Sequence, residues 1–156
     1  MVRSEKIIDP NSLNNIKRVS LQNIESGRLQ DAKMMLEAAN AVDYAGADCL
    51  LLGANTMHMM ADFIAERISI PLIHIGEETA KIINGQGLKK VGLLGTKTTM
   101  EKDFYRNKLK QYNIDSVIPG DSERDYINKT IFGEFSKEIF TEEARRRYGE
   151  IIDGLI

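Results

Sequence analysis

The sequence predicts an α/β fold in which a parallel sheet is flanked by helices. Two observations predict it. Short apolar runs bounded by glycine or proline alternate with longer stretches whose apolar residues recur at three and four. The runs are also nearly continuous rather than alternating, as expected of strands covered on both faces by crossover helices.

The elements follow in order. Asp9-Pro10-Asn11-Ser12 is turn-prone, and Ser12 stands where it can cap a helix from Leu13 to Ile24 that Gly27 ends. Between Leu29 and Ala45, residues Ala32, Met35, Leu36, Ala39 and Val42 form one apolar helix face, with Gly46 at its C-terminal stop. Ala47 to Leu52, set between Gly46 and Gly53, reads as a strand buried on both faces. The pattern then repeats: a helix through Met60, Phe63 and Ile64, a strand at Leu72 to Ile75, a helix around Thr79 to Ile83, and a strand at Val91 to Leu94. A helix from Met100 to about Tyr112, a short strand at Ser116 to Ile118, and helical segments from about Asp125 to Ile139 and from Glu142 to Leu155 complete it. The alternation calls for a further strand after the last helix, and any strand before Asp9 would be only Lys6 to Ile8. A fragment, or a sheet completed by neighbouring chains, is therefore expected, and open edges predict self-association.

Composition narrows the function classes. With 42% apolar and 28% charged residues, the 156-residue chain has the balance of one globular domain. Its net charge of −2 gives no field to recruit nucleic acid or an acidic membrane. The apolar runs are too short to span a bilayer and the N-terminus has no signal-peptide pattern, so a cytoplasmic location and a small-molecule or protein partner are expected. One cysteine, Cys49, excludes an intrachain disulfide framework and a multi-thiolate metal site, so no metal is expected.

Two strand-to-helix junctions carry the candidate chemistry. One is Leu52-Gly53-Ala54-Asn55-Thr56-Met57-His58 and the other Leu94-Gly95-Thr96-Lys97-Thr98-Thr99-Met100. In an open parallel sheet, ligands sit at the carboxyl ends of strands, against helix N-termini with free N–H groups. Facing each other, two such loops would hold a small carboxylate or dicarboxylate, with Asn55, Thr56, Thr96, Thr98 and Thr99 as donors. The plainer reading is that Asn55 and Thr99 are ordinary helix caps. Receiver-like modules share the alternation but need an acidic cluster at strand ends, where this chain has Asn and Thr.

The segments Gly46-Ala47-Asp48, Asn55-Thr56-Met57-His58, Ile70 to Ile75, Val91 to Thr96 with Thr99-Met100, and Asp103-Phe104-Tyr105 are similar to the aspartate/glutamate racemase family, in particular to its broad-specificity amino-acid racemases. The resemblance runs from about Ser4 to the end. It implies two pseudo-symmetric α/β lobes with the active site in the cleft between them, frequent dimerisation, and no pyridoxal phosphate or other cofactor. Residues 1–75 would be the later part of the first lobe and residues 76–156 the earlier part of the second. The family's opening strand with its Gly-rich loop, and its closing Gly-Cys-Thr-Glu-type motif, have no counterpart in the sequence.

Racemisation takes the α-proton from one face and returns one to the other, which needs two opposed acid/bases, and the family uses two thiols. The first stands directly before the Asn-Thr pair, a position held here by Ala54, whose methyl group cannot transfer a proton. The second belongs to a motif beyond Ile156, so the chain is expected to be catalytically impaired. Cys49, inside an apolar run, is expected to be buried with a raised pKa. His58, about one helical turn beyond Ala54, is the candidate replacement base, although the family carries the same histidine beside its thiol, which points to orienting or capping.

His74 reads as a structural, hydrogen-bonded histidine. Lys97 is either an exposed loop lysine or an attractor of carboxylates, and Arg145-Arg146-Arg147 reads as a solvated helix face. Ile131 to Phe135 resembles a family segment near the distal carboxylate, with Ser136 and Lys137 competing for the lysine some members place after it. Two further readings stand beside racemisation: a non-catalytic carboxylate-binding or regulatory relative, and a one-base decarboxylase-type relative that needs an intact second thiol.

Overall fold

The computed structural model describes residues 29–155, so the expected helix at Leu13–Ile24 and strand at Lys6–Ile8 lie outside the described residues. The order is α1 (Leu29–Tyr44), β1 (Leu50–Leu51), a 3₁₀ turn (Asn55–Met60), α2 (Ala61–Ala65), β2 (Leu72–Ile73), α3 (Ile75–Gly85), β3 (Lys90–Gly92), α4 (Lys97–Glu101), α5 (Asp103–Gln111), β4 (Asp115–Val117), α6 (Asp121–Gly133), a second 3₁₀ turn (Phe135–Lys137) and α7 (Glu142–Asp153). The strands pair in two parallel ribbons. Leu50 opposes Leu72 and Leu51 opposes Ile73 in the first; Lys90, Val91 and Gly92 oppose Asp115, Ser116 and Val117 in the second. Each parallel pair needs a crossover, and helices supply both. The α/β class with parallel strands flanked by helices is as expected.

Three apolar clusters hold the elements. Ala32, Leu36 and Ala39 of α1 pack on Leu50, Met60, Phe63 and Ile64. Ala80, Leu93, Tyr105, Leu109 and Ile114 form a second cluster, and Met100, Ile127 and Ile151 a third. Gly46 ends α1 as expected, at a φ of 83° that a β-carbon would disfavour.

Several boundaries differ for physical reasons. The strand expected from Ala47 to Leu52 pairs only at Leu50–Leu51 and is not buried on both faces. Leu50 is covered by α1, whereas Leu51, which points to the opposite face as successive strand residues do, is 68% exposed. Cys49 is correspondingly half-buried rather than enclosed. The helix expected from Met100 to Tyr112 breaks at Lys102, whose backbone is extended (φ −83°, ψ 154°). Arg106 reconciles the break by donating to both the Glu101 carbonyl (3.0 Å) and the Asp103 carboxylate (2.8 Å). The helix read from Asp125 starts earlier, at Asp121, where the Glu123 carboxylate accepts the Gly120 N–H, and it ends at Gly133 rather than Ile139.

Two shallow apolar grooves follow from the two-stranded ribbons. One, of about 390 Å³, runs along β1 between Met35, Val42, Leu51 and Ala54; the other, of about 490 Å³, lies against Val91, Val117, Ile152 and Leu155. Among the described residues no helix is long and apolar enough to cross a membrane.

Leu109 is 1% exposed at the centre of the second cluster. Leu109→Ala is expected to cost about 2–5 kcal/mol through lost transfer energy plus the residual cavity. Urea unfolding of the two proteins measures it.

Candidate functional site

The first loop leaves β1 through Gly53 and enters the 3₁₀ turn at Ala54, whose backbone is extended (φ −140°, ψ 128°). Ala54 and Asn55 are exposed, Thr56 is half-buried, and His58 is buried at 2% exposure. The Ala54 carbonyl accepts two hydrogen bonds, from the Met57 N–H (3.1 Å) and from His58 Nδ1 (3.0 Å). A carbonyl cannot donate, so Nδ1 carries the proton. The other ring nitrogen, Nε2, accepts the N–H of Ile75 at 3.2 Å. Both nitrogens of His58 are thus engaged with backbone groups.

The second loop leaves β3 through Leu93, Leu94 and Gly95. A β-carbon on Gly95 would lie 3.1 Å from Cγ2 and 3.2 Å from Cβ of Thr99, so glycine lets the loop backbone lie directly on that buried side chain. Thr96 is the N-cap of α4: its hydroxyl accepts the Thr99 N–H at 3.2 Å. The same oxygen lies 3.0 Å from Thr99 Oγ1 and 3.0 Å from Thr56 Oγ1. The two loops therefore meet through Thr56 and Thr96.

The three hydroxyls form a chain with only two polarities. With one lone pair taken by the Thr99 N–H, Thr96 can donate to one neighbouring hydroxyl and accept from the other. If Thr99 donates to Thr96 and Thr96 to Thr56, the half-buried Thr56 hydroxyl keeps its proton for an outside acceptor. An anion beside Thr56 would select that polarity. The 3₁₀ turn and α4 are short, so the dipole contribution expected from helix N-termini is small here, and what the two loops present is hydroxyl and amide donors.

Thr98 is half-buried in the first turn of α4, and Thr99 is buried. Lys97 is tied down: its backbone N–H donates to Asn128 (2.8 Å) and its ammonium pairs with Asp125 (2.5 Å), which raises its pKa. Arg124, paired with Glu101 and Asp121 and donating to the Pro119 carbonyl, binds α4 to α6 beside it. Arg146 and Arg147 pair along α7 with Glu143 and Glu150, and Arg145 lies 3.8 Å from Glu142, the solvated face expected. Ser136 donates to the Phe132 carbonyl and Lys137 is exposed, while Phe135 stacks on Phe140. Among the described residues no group of His, Cys, Asp and Glu is arranged to hold a metal ion.

His74 caps α3. Its Nδ1 accepts the Gly76 N–H at 3.0 Å, and its ring stands edge-on to His58 with centroids 4.7 Å apart. Burial, then the proximity of His58 and of Lys108, lowers its pKa to about 4, against the opposing carboxylates of Asp62 and Glu77. Sequence reasoning missed the bond from Ile75 to His58, seventeen positions apart, and the acceptor role of Asn128. The four-residue spacing between Ala54 and His58 could have suggested their pairing; nothing local marks Asn128.

Residues 16–156 match the family model described as Asp/Glu/hydantoin racemase. The broad specificity amino-acid racemase RacX of Bacillus subtilis is 33% identical over 99 residues, which cover 64% of this chain and 43% of that protein. A crystal structure from Yersinia pestis described as a candidate Asp/Glu racemase superposes with a TM-score of 0.77 at 36% identity, over 88% of this chain and 61% of that one. An aspartate racemase homologue from Pyrococcus horikoshii gives a TM-score of 0.66 at 32% identity, over 86% and 62%. The chain thus spans less than two thirds of the length of each of these relatives.

The lowered pKa of His74 generates a pH dependence. Between its ordinary value of 6.5 and about 4, the unfolded histidine takes a proton that the folded one refuses. The stabilisation is therefore complete above pH 6.5, shrinks as the pH falls, and is exhausted below about 4. His74→Asn keeps a capping acceptor and removes the titration. The difference in unfolding free energy, wild type minus variant, is expected to fall by on the order of 1–3 kcal/mol over that window, as measured by urea titrations at successive pH values.

Proposed function

The chain belongs to the Asp/Glu/hydantoin racemase family, and from that premise we propose that its two threonine loops bind the carboxylate of an amino acid or small dicarboxylate without pyridoxal phosphate, while Ala54 leaves the shell short of its first base. The observation that carries the binding half is the 3.0 Å contact between Thr56 and Thr96, which joins the two strand-end loops at one point. In this reading Thr56 donates to the carboxylate with Thr96 donating to Thr56 behind it, Asn55 adds an amide donor from the exposed rim, and Thr98 and Thr99 shape the second loop. Residues 1–75 and 76–156 are read as parts of two lobes that meet at these loops. A cytoplasmic location and self-association through the open ribbon edges belong to the same reading.

The catalytic half follows from proton bookkeeping at carbon. Breaking the α-C–H bond needs a base whose lone pair faces it, and Ala54 has none. His58 has its one unprotonated nitrogen occupied by the Ile75 N–H and is read as an orienting group. Cys49, half-buried before β1, is read as structural. We therefore infer a family member that binds but, as this chain, does not racemise. The methyl group of Ala54 favours the non-catalytic carboxylate-binding relative; the one-base decarboxylase-type relative, which would work through a second thiol, is the minor alternative.

The test is α-proton exchange in heavy water with L- and D-aspartate and glutamate, followed by proton NMR. The wild-type chain is expected to shift the Thr56 and Thr96 amide signals on ligand addition and to exchange no α-proton. Ala54→Cys places a thiol on one face of the ligand: it removes the proton, exchanges it with solvent, and returns a deuteron to the same face. It is expected to speed exchange of one enantiomer by about 10²-fold or more. Exchange by the wild-type chain would overturn the catalytic half, and unmoved threonine signals would overturn the binding half.

A further inference from the structure

Resting on the reading of Thr56 and Thr96 as binding loops, we propose that His58 is the positioning residue of this site, its ring tying the Ala54 carbonyl to the first N–H of α3 and thereby fixing where Thr56 meets Thr96. Hydrogen-bond accounting carries it. The contact to the Ala54 carbonyl requires a proton on Nδ1, and the contact from the Ile75 N–H requires a lone pair on Nε2. His74 is the mirror case. Its Nδ1 accepts the Gly76 N–H, so its proton sits on Nε2. Two buried rings, 4.7 Å apart, thus hold opposite tautomers, and each accepts one of the first two N–H groups of α3.

The arrangement bears on the site because of where the tether ends. Ala54 opens the 3₁₀ turn, and Thr56 stands two residues on. On one side the loop is anchored through β1, and on the other through the His58 ring. Thr56 and Thr96 come from loops of different ribbons, and a shift of about 1 Å between them is enough to break a hydrogen bond. At 2% exposure, His58 cannot exchange its partners for water while the loop stays in place.

Three substitutions separate the two ends of the tether. His58→Asn retains an amide donor near the place of Nδ1; His58→Gln retains an acceptor near the place of Nε2; His58→Ala retains neither. A two-ended tether predicts that His58→Ala, His58→Gln and His58→Asn all bind L- or D-aspartate and malonate about tenfold more weakly per folded molecule, because each cuts at least one end. A merely structural role predicts that binding follows the folded fraction in all three, with wild-type affinity per folded molecule.

The wild-type chain supplies a readout that does not depend on any variant folding. Imidazole ¹⁵N NMR of the full chain at neutral pH is expected to show His58 protonated at Nδ1 and His74 at Nε2. An Nε2–H tautomer at His58, or wild-type affinity per folded molecule in His58→Asn or His58→Gln, overturns the inference. If no dicarboxylate binds the wild type, the binding reading fails alone. The tether is then decided without ligand: His58→Asn and His58→Gln are each expected to move the Thr56 and Thr96 amide signals as His58→Ala does, and wild-type shifts in either overturn it.

Discussion

An α-helix that begins in the protein interior must find acceptors for its first four N–H groups, and in this chain that requirement falls on α3. The Glu77 and Glu78 N–H groups both reach the His74 carbonyl, at 2.9 and 3.0 Å. The Ile75 and Gly76 N–H groups are met by two imidazoles, one from the preceding residue and one from the far side of β2. Leaving such a donor unmet in a buried place costs about 1–3 kcal/mol. Satisfying it with His58 locks the loop after β1 to the start of α3. The other end of the same arrangement runs through α5: Tyr105 donates to Thr79, Leu109 packs beside Ala80, and Lys108 reaches Asp62 at 3.2 Å. The position of the first loop relative to the second is thus an outcome of how α3 is capped and packed.

Binding and proton transfer are separable in such a site, because different atoms perform them. The donors are hydroxyls and amides that need only be held in place, and a network of ion pairs around Lys97, Glu101, Arg124 and Asp125 does so for the second loop. Proton transfer depends on one side chain with a lone pair aimed at the α-carbon. In the proposed reading a methyl group at Ala54 supplies no such lone pair, while the carbonyl of the same residue accepts from Met57 and His58. The backbone that shapes the loop therefore does not depend on a base at position 54. Among the described residues no buried side-chain nitrogen or oxygen lacks a hydrogen-bond partner, so the shell is internally complete without it.

Much of this was legible in the chain. Apolar periodicity located α1, with Ala32, Leu36 and Ala39 on its buried face, because a helix against a sheet must present one apolar stripe. Strand positions, the α/β class and the two glycine-led junctions were readable for similarly local reasons. Less legible were the lengths. Leu50 and Leu51 are equivalent by composition, yet one is buried and the other exposed, since they point to opposite faces of the strand and α1 packs on the face of Leu50. The break at Lys102 was not legible either; it depends on Arg106 reaching a carbonyl five residues back.

The sequence by itself determined the class of fold, the family, the pair of loops and the absence of a base at position 54, because each is a property of residue identity and spacing along the chain. Tertiary structure alone decided that Thr56 and Thr96 touch across forty residues, that Asn128 receives the Lys97 N–H, and that both ring nitrogens of His58 are spoken for. The reason is physical: hydrogen bonds form between atoms brought within about 3 Å, and for partners tens of residues apart only the packed core sets that distance.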